Sequence, residues 1–140
     1  MPCAAVFGYA PQAVNVVLPG QNIPYGNIVC NTSERCRGRH IELKIGTGDI
    51  YIRDAGLYAI SVLVDVPPAV GQYVTIDTGN GLSVDVSLYN GTGGNTVFLP
   101  VRANSVLKVV VRGLAAGITF TPGTNTSIPL STIAIAKVNK

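Results

Sequence analysis

The chain is cut into short apolar segments, each closed off by proline, glycine or asparagine, and this punctuation constrains the fold more than any other feature. Nine prolines and 16 glycines in 140 residues discourage long helices, because proline removes a backbone donor and glycine weakens a helix interior. No segment carries a 3.6-residue amphipathic period. Between the breaks stand residues 13–18, 23–30, 41–45, 50–53, 57–66, 73–77, 82–89, 96–99, 105–112, 118–121 and 131–138. Their apolar residues are mostly β-branched, with 19 Val and 12 Ile against 10 Leu, and such side chains pack well on a pleated surface. Ile41-Glu-Leu-Lys-Ile45 alternates and predicts one buried and one wet face. Residues 57–66 are apolar almost throughout and predict a central strand covered on both sides. Thr78-Gly-Asn-Gly81 predicts a hairpin turn. About nine or ten short strands at roughly 8–12 residue spacing predict an all-β, antiparallel sandwich. Residues 1–12 read as an N-terminal arm and residues 13–140 as one domain, a length that fits a single core.

Charge is scarce. Charged residues make up 12% of the chain and hydrophobic ones 47%, against roughly 25% charged in an average soluble domain. A disordered chain is excluded, since disorder requires the opposite balance. Low charge also predicts that much of the surface is buried in an assembly. Residues 1–33 hold no charged side chain. Arg35, Arg37, Arg39 and Lys44 gather four of the ten basic residues around His40, tempered by Glu34 and Glu42. This basic loop lacks the interleaved aromatics of a nucleic-acid site and reads as solvated, so no nucleic-acid partner is expected. No secretory leader is expected, because Pro2, Pro11, Pro19 and Pro24 interrupt the N-terminal stretch and nothing basic follows Met1. No membrane span is expected either. The reading is a soluble protein made and kept inside a cell.

The residues that carry chemistry do not cluster. Cys30, Cys36 and His40 have a C-x5-C-x3-H spacing that matches none of the common zinc patterns; with Cys3 they read as free thiols and a solvated imidazole. Asn31, Asn90 and Asn125 each open a glycosylation sequon, read as chance in a chain without an export route. Asp77-Thr-Gly79 resembles the signature of retroviral-type aspartic proteases, in which two subunits share a proton between paired carboxylates. Here Asn80 stands where that family has a small apolar residue, and Arg112 interrupts the later apolar element, so Asp77 reads equally as part of a turn. The single His40 gives no triad, the seven carboxylates are scattered, and Gly91-Thr-Gly-Gly94 lacks the lysine of a phosphate loop. No enzyme, no cofactor and no metal site is expected.

Arg53-Asp-Ala-Gly-Leu-Tyr-Ala-Ile-Ser-Val62 resembles the Gly-x-Tyr strand of tumour-necrosis-factor and complement-C1q-like jelly rolls. Thr96–Val101 followed by Asn104–Val111 is similar to that fold's penultimate hairpin, and Ser131–Lys137 to its closing strand, which runs beside the start of the chain. The resemblance implies a jelly-roll sandwich that forms a homotrimer. It places Tyr58 near the three-fold axis, with Ile133 and Ile135 as neighbours in the subunit contact. The alternative is that Tyr58 fills the core of its own subunit with its hydroxyl satisfied at an edge.

In size and style the chain is also similar to small virion proteins of tailed bacteriophages. That likeness implies a non-enzymatic capsid decoration or minor capsid protein, assembled into the virion in the host cytoplasm, with the major capsid protein as partner. Val6, Phe7, Tyr9 and Pro11 are the expected docking segment, with a first strand of the sandwich or a frayed terminus as the alternative, and Arg35, Arg37 and Arg39 could meet acidic capsid surface. The alternative is a receptor- or glycan-binding knob of a fibre, using residues 33–39 and 89–95.

Overall fold

Alternation of burial along most segments decides how the strands stack: the inner rows are mainly isoleucine, valine, leucine and aromatic residues, and two sheets close over them. The computed structural model describes residues 4–32, 41–65, 71–87, 95–113 and 116–138. Twelve strands follow in order: β1 Ala4–Tyr9, β2 Asn15–Val17, β3 Asn27–Asn31, β4 Ile41–Lys44, β5 Asp49–Ile52, β6 Gly56–Val64, β7 Tyr73–Asp77, β8 Ser83–Ser87, β9 Asn95–Val101, β10 Ser105–Arg112, β11 Ile118–Phe120 and β12 Ser131–Lys137. The first sheet has the order β3-β1-β12-β6-β9 and the second β4-β5-β10-β7-β8, with a small β11-β2 ribbon beside them. All pairings are antiparallel. The all-β jelly-roll sandwich read from the sequence is the observed architecture, with twelve strands among the described residues in place of about nine or ten, since β1 and the short β2 and β11 add to the count.

The core lies between the two main sheets. Phe7 from β1, Tyr58, Ile60, Val62 and Val64 from β6, and Ile133 and Ile135 from β12 face Ile50, Ile52, Ile76, Leu107 and Val109 of the second sheet, all buried. Each such side chain contributes ~1.5–3 kcal/mol of burial free energy. Phe120 of the ribbon is also buried and meets Tyr9 edge-to-face, with centroids 5.1 Å apart and rings at 85°. That geometry is the one that aligns the positive ring edge with the negative face.

Two sequence readings need correction. Ala4–Tyr9 is not a free arm but the alternative, a strand of the sandwich: it lies inside its sheet, paired with β12 on one side and β3 on the other. Its uncharged sequence fits a strand whose neighbours take up its backbone groups on both sides. Residues 57–64 lie inside their sheet, as expected, but among the described residues the chain covers only one of their faces. Tyr58, Ile60, Val62 and Val64 point inward, whereas Leu57, Ala59 and Ser61 are half-buried and Leu63 is exposed.

The turns follow local chemistry. Asp77-Thr-Gly-Asn-Gly81 joins β7 to β8, with Asp77 opposite Ser83. The Asp77 Oδ1 atom accepts the Gly79 N–H at 2.8 Å, and Thr78 Oγ1 donates to the Leu82 carbonyl at 2.8 Å. The Asp-Thr-Gly triplet is therefore a side-chain-stabilised turn, and this carboxylate is committed to its own backbone. At the β4–β5 turn, Gly48 has a φ of +75° and a Cβ there would lie 2.3 Å from the Ile23 carbonyl oxygen. Only glycine allows that approach.

Candidate functional site

Three residues expected at a subunit contact are buried within the chain. Tyr58 is 2% exposed, Ile133 0% and Ile135 1%. They share the inner row, with Ile135 opposite Ile60 and Lys137 opposite Tyr58. The Tyr58 hydroxyl donates to the Asp54 carbonyl at 2.7 Å, and Lys137 pairs with the Asp54 carboxylate. Tyr58 thus fills its own core and is satisfied at an edge, which is the alternative reading. The reason is parity, because one residue of shift along a strand moves a side chain to the opposite face.

The residues one step out of phase form a different surface. Cross-strand register lines up Val6, Ala134, Ser61 and Thr96 in one row, with Cys30 continuing it on β3. Ala4, Ala136, Ala59 and Phe98 make the next row, and Thr132 stands beside Leu63. Ser61 and Thr96 share a hydrogen bond of 2.6 Å between their hydroxyls. Phe98 is 60% exposed and Leu63 45%. The centre of this face is small and flat, flanked by bulky apolar side chains, and none of these outward residues is charged.

Charge is segregated to the other sheet. Among the described residues, the charged side chains that lie on strands are Glu42, Lys44, Asp49, Asp77, Asp85, Lys108 and Arg112 of the second sheet, and the inward-facing Lys137 of the first. Glu42 and Arg53 form an exposed two-pronged pair at 3.1 and 3.2 Å; hydrogen bonding to Glu42, then its charge, raises the Arg53 pKa. Lys108 stands opposite Asp77, and Thr75 donates to Asp85 at 2.8 Å. These contacts make a solvated charge mosaic.

Of the expected docking segment, Phe7 is 0% exposed and therefore cannot dock. Val6 lies on the outward face, Tyr9 is packed on Phe120 and accepts a hydrogen bond from Asn15 Nδ2 at 2.6 Å, and Pro11 is half-buried after the strand. Arg35, Arg37, Arg39, Cys3, Cys36, His40 and the Asn90 loop lie outside the described residues. Cys30 is exposed on β3. The Asn31 amide donates to the Ile41 carbonyl, and the Asn125 side chain closes a turn by accepting from Ser127. Among the described residues no group of three or more His, Cys, Asp or Glu could hold a metal ion.

No family model matches the sequence, and no curated protein sequence matches it. Solved structures do share the fold. The globular domain of zebrafish complement 1qA protein is similar over 100% of this chain and 99% of its own, at 9% identity and a TM-score of 0.62. Murine APRIL at pH 8.0 is similar over 96% of this chain and 99% of its own, at 14% identity and 0.57. Eiger TNF from S. frugiperda is similar over 99% of this chain and 94% of its own, at 16% identity and 0.56. The architecture is that of the TNF/C1q jelly rolls.

Proposed function

We propose that this chain is a non-enzymatic protein that works as a homotrimer, three copies meeting through the outward face of the β3-β1-β12-β6-β9 sheet. The observation that carries the reading is the uncharged, flat-centred composition of that face beside a second sheet that holds almost all strand-borne charge. An uncharged sheet face with exposed apolar side chains fits an interaction surface, and closed symmetry is the economical way to cover it with copies of itself. The fold likeness supports the trimer, since that is the assembly this type of jelly roll implies.

Its further role in this reading is that of a bacteriophage virion component, a capsid decoration or minor capsid protein that adds at a three-fold or pseudo-three-fold site. Binding several capsid subunits at once would stabilise the shell by mass action. The support for this step is the small size and charge-poor composition shared with such virion proteins. With Phe7 in the core, the capsid contact falls to the charged second sheet and to Arg35, Arg37 and Arg39.

Light scattering of the purified protein, alone and then with capsids lacking it, tests both steps. A species near three times 14.6 kDa that pellets with capsids is the expected result. A stable monomer would overturn the trimer, and a trimer that ignores capsids would overturn the capsid-decoration role and favour a fibre-tip binding knob.

A further inference from the structure

Between β2 and the β4–β5 turn lies an open cleft of about 480 Å³, within the ~300–1,000 Å³ range of small-ligand sites. We propose that it binds a neutral, hydroxyl-rich ligand of the saccharide class. Three side-chain amides line it, from Asn15, Gln21 and Asn22, together with the Thr47 hydroxyl and the apolar Val16 and Pro24. Among the described residues, none that lines it is charged.

Each amide is tied down at one end and open at the other. Asn15 Nδ2 donates to the Tyr9 hydroxyl at 2.6 Å, which leaves Oδ1 as an acceptor. Gln21 Oε1 accepts the Leu18 N–H at 2.9 Å, which leaves the Nε2 donors. Asn22 Nδ2 donates to Asp49 Oδ1 at 3.0 Å, which again leaves an acceptor. Three anchored amides thus stand along a single cleft, each with a polar atom that these bonds leave over, which lowers the ordering cost of binding. Hydroxyl groups both donate and accept, so neighbouring hydroxyls on a ring can answer this mixture. An anionic ligand would lose hydration there and meet only the Asp49 carboxylate behind Asn22. Val16 and Pro24 give a C–H face of the ring an apolar wall. None of these residues lies on the sheet face assigned to the trimer, so the site stands or falls independently of that reading.

The test is a titration of the ¹⁵N-labelled full chain with the methyl glycosides of glucose, galactose, mannose and N-acetylglucosamine, and with an uncharged Gly-Ser peptide. Saturable shifts at residues 15–22 and 46–47 and at the Gln21 side-chain amide, with at least one glycoside, are expected. Gln21→Glu keeps the acceptor for Leu18 and replaces the donor with an acceptor, so it weakens binding about tenfold at an unchanged melting temperature. Val16→Arg, which fills the cleft from an exposed position, abolishes binding. Absence of saturable shifts with all four glycosides overturns the proposal. So does unchanged binding by Gln21→Glu, or binding of the peptide alone.

Discussion

Tyr25 carries its phenol into the centre of the fold, where burial raises its pKa far above the ordinary value of 10.0. Ser131 Oγ donates to the Leu63 carbonyl at 2.9 Å, so the phenol, 2.9 Å from Ser131, donates to that oxygen. Above pH ~10 an unfolded chain releases this proton while the native chain keeps it. The native state then binds more protons, and stability falls as pH rises from that point; below it the group adds no pH dependence. Urea unfolding of wild type should therefore weaken above pH ~10, and Tyr25→Phe should weaken less steeply. At neutral pH the same variant costs ~1 kcal/mol for the lost hydrogen bond. Parallel pH slopes for the two proteins would refute the assignment. Gly48 gives a second test at this scale. Gly48→Ala combines a positive φ with a Cβ 2.3 Å from the Ile23 oxygen, and should lower stability by ~2 kcal/mol or more in the same assay.

A strand's worth depends on how many neighbours it pairs, and β1 pairs two. Phe7→Ala removes a 0% exposed ring from that interior strand and should cost ~3–5 kcal/mol, measured by denaturant unfolding. Deletion of residues 1–9 should leave β12 and β3 without their shared partner and prevent folding, read by the loss of the far-ultraviolet strand signal. A free docking arm would instead be removable without harm. The sequence carried most elements in plain view, because β-branched runs between turn residues specify strands locally. It did not decide β1 between an arm and a first strand, since Ala4-Ala-Val-Phe-Gly-Tyr9 mixes small and aromatic residues without clean alternation. Pairing between residues near 4–9 and 131–136 is also non-local, visible only through the likeness to a known fold. The same limit misassigned Tyr58, Ile133 and Ile135. The sequence marks β6 and β12 as apolar on both faces, but which face looks inward is set by packing against the second sheet. The cleft amides left no signal at all, because Asn15, Gln21 and Asn22 read as loop polarity until β2 and the β4–β5 turn bring them together.

At the scale of the molecule, two sheets of nearly equal size differ in what they show to water. The second presents charge; the first presents alanines, Ser61, Thr96 and Thr132 framed by Val6, Leu63 and Phe98. A monomer would gain solubility from charge on both faces, so the asymmetry is the signature expected of a surface covered by copies of the chain. Ala134 lies on β12, the middle strand of that sheet, and its side chain is on the outward row. Ala134→Glu therefore leaves the inward core untouched, and the new carboxylate is solvated in a free subunit. In the proposed trimer it would place one unpaired charge per subunit in a desolvated contact, a cost of several kcal/mol each. Light scattering should show the mass fall from three times 14.6 kDa to 14.6 kDa, with a strand-type circular dichroism spectrum retained. Asp85→Ala on the charged face should leave the oligomer intact. A trimer that survives Ala134→Glu would move the contact to another surface, whereas a variant that loses its folded spectrum along with its trimer would mean that the subunit does not fold apart from its partners.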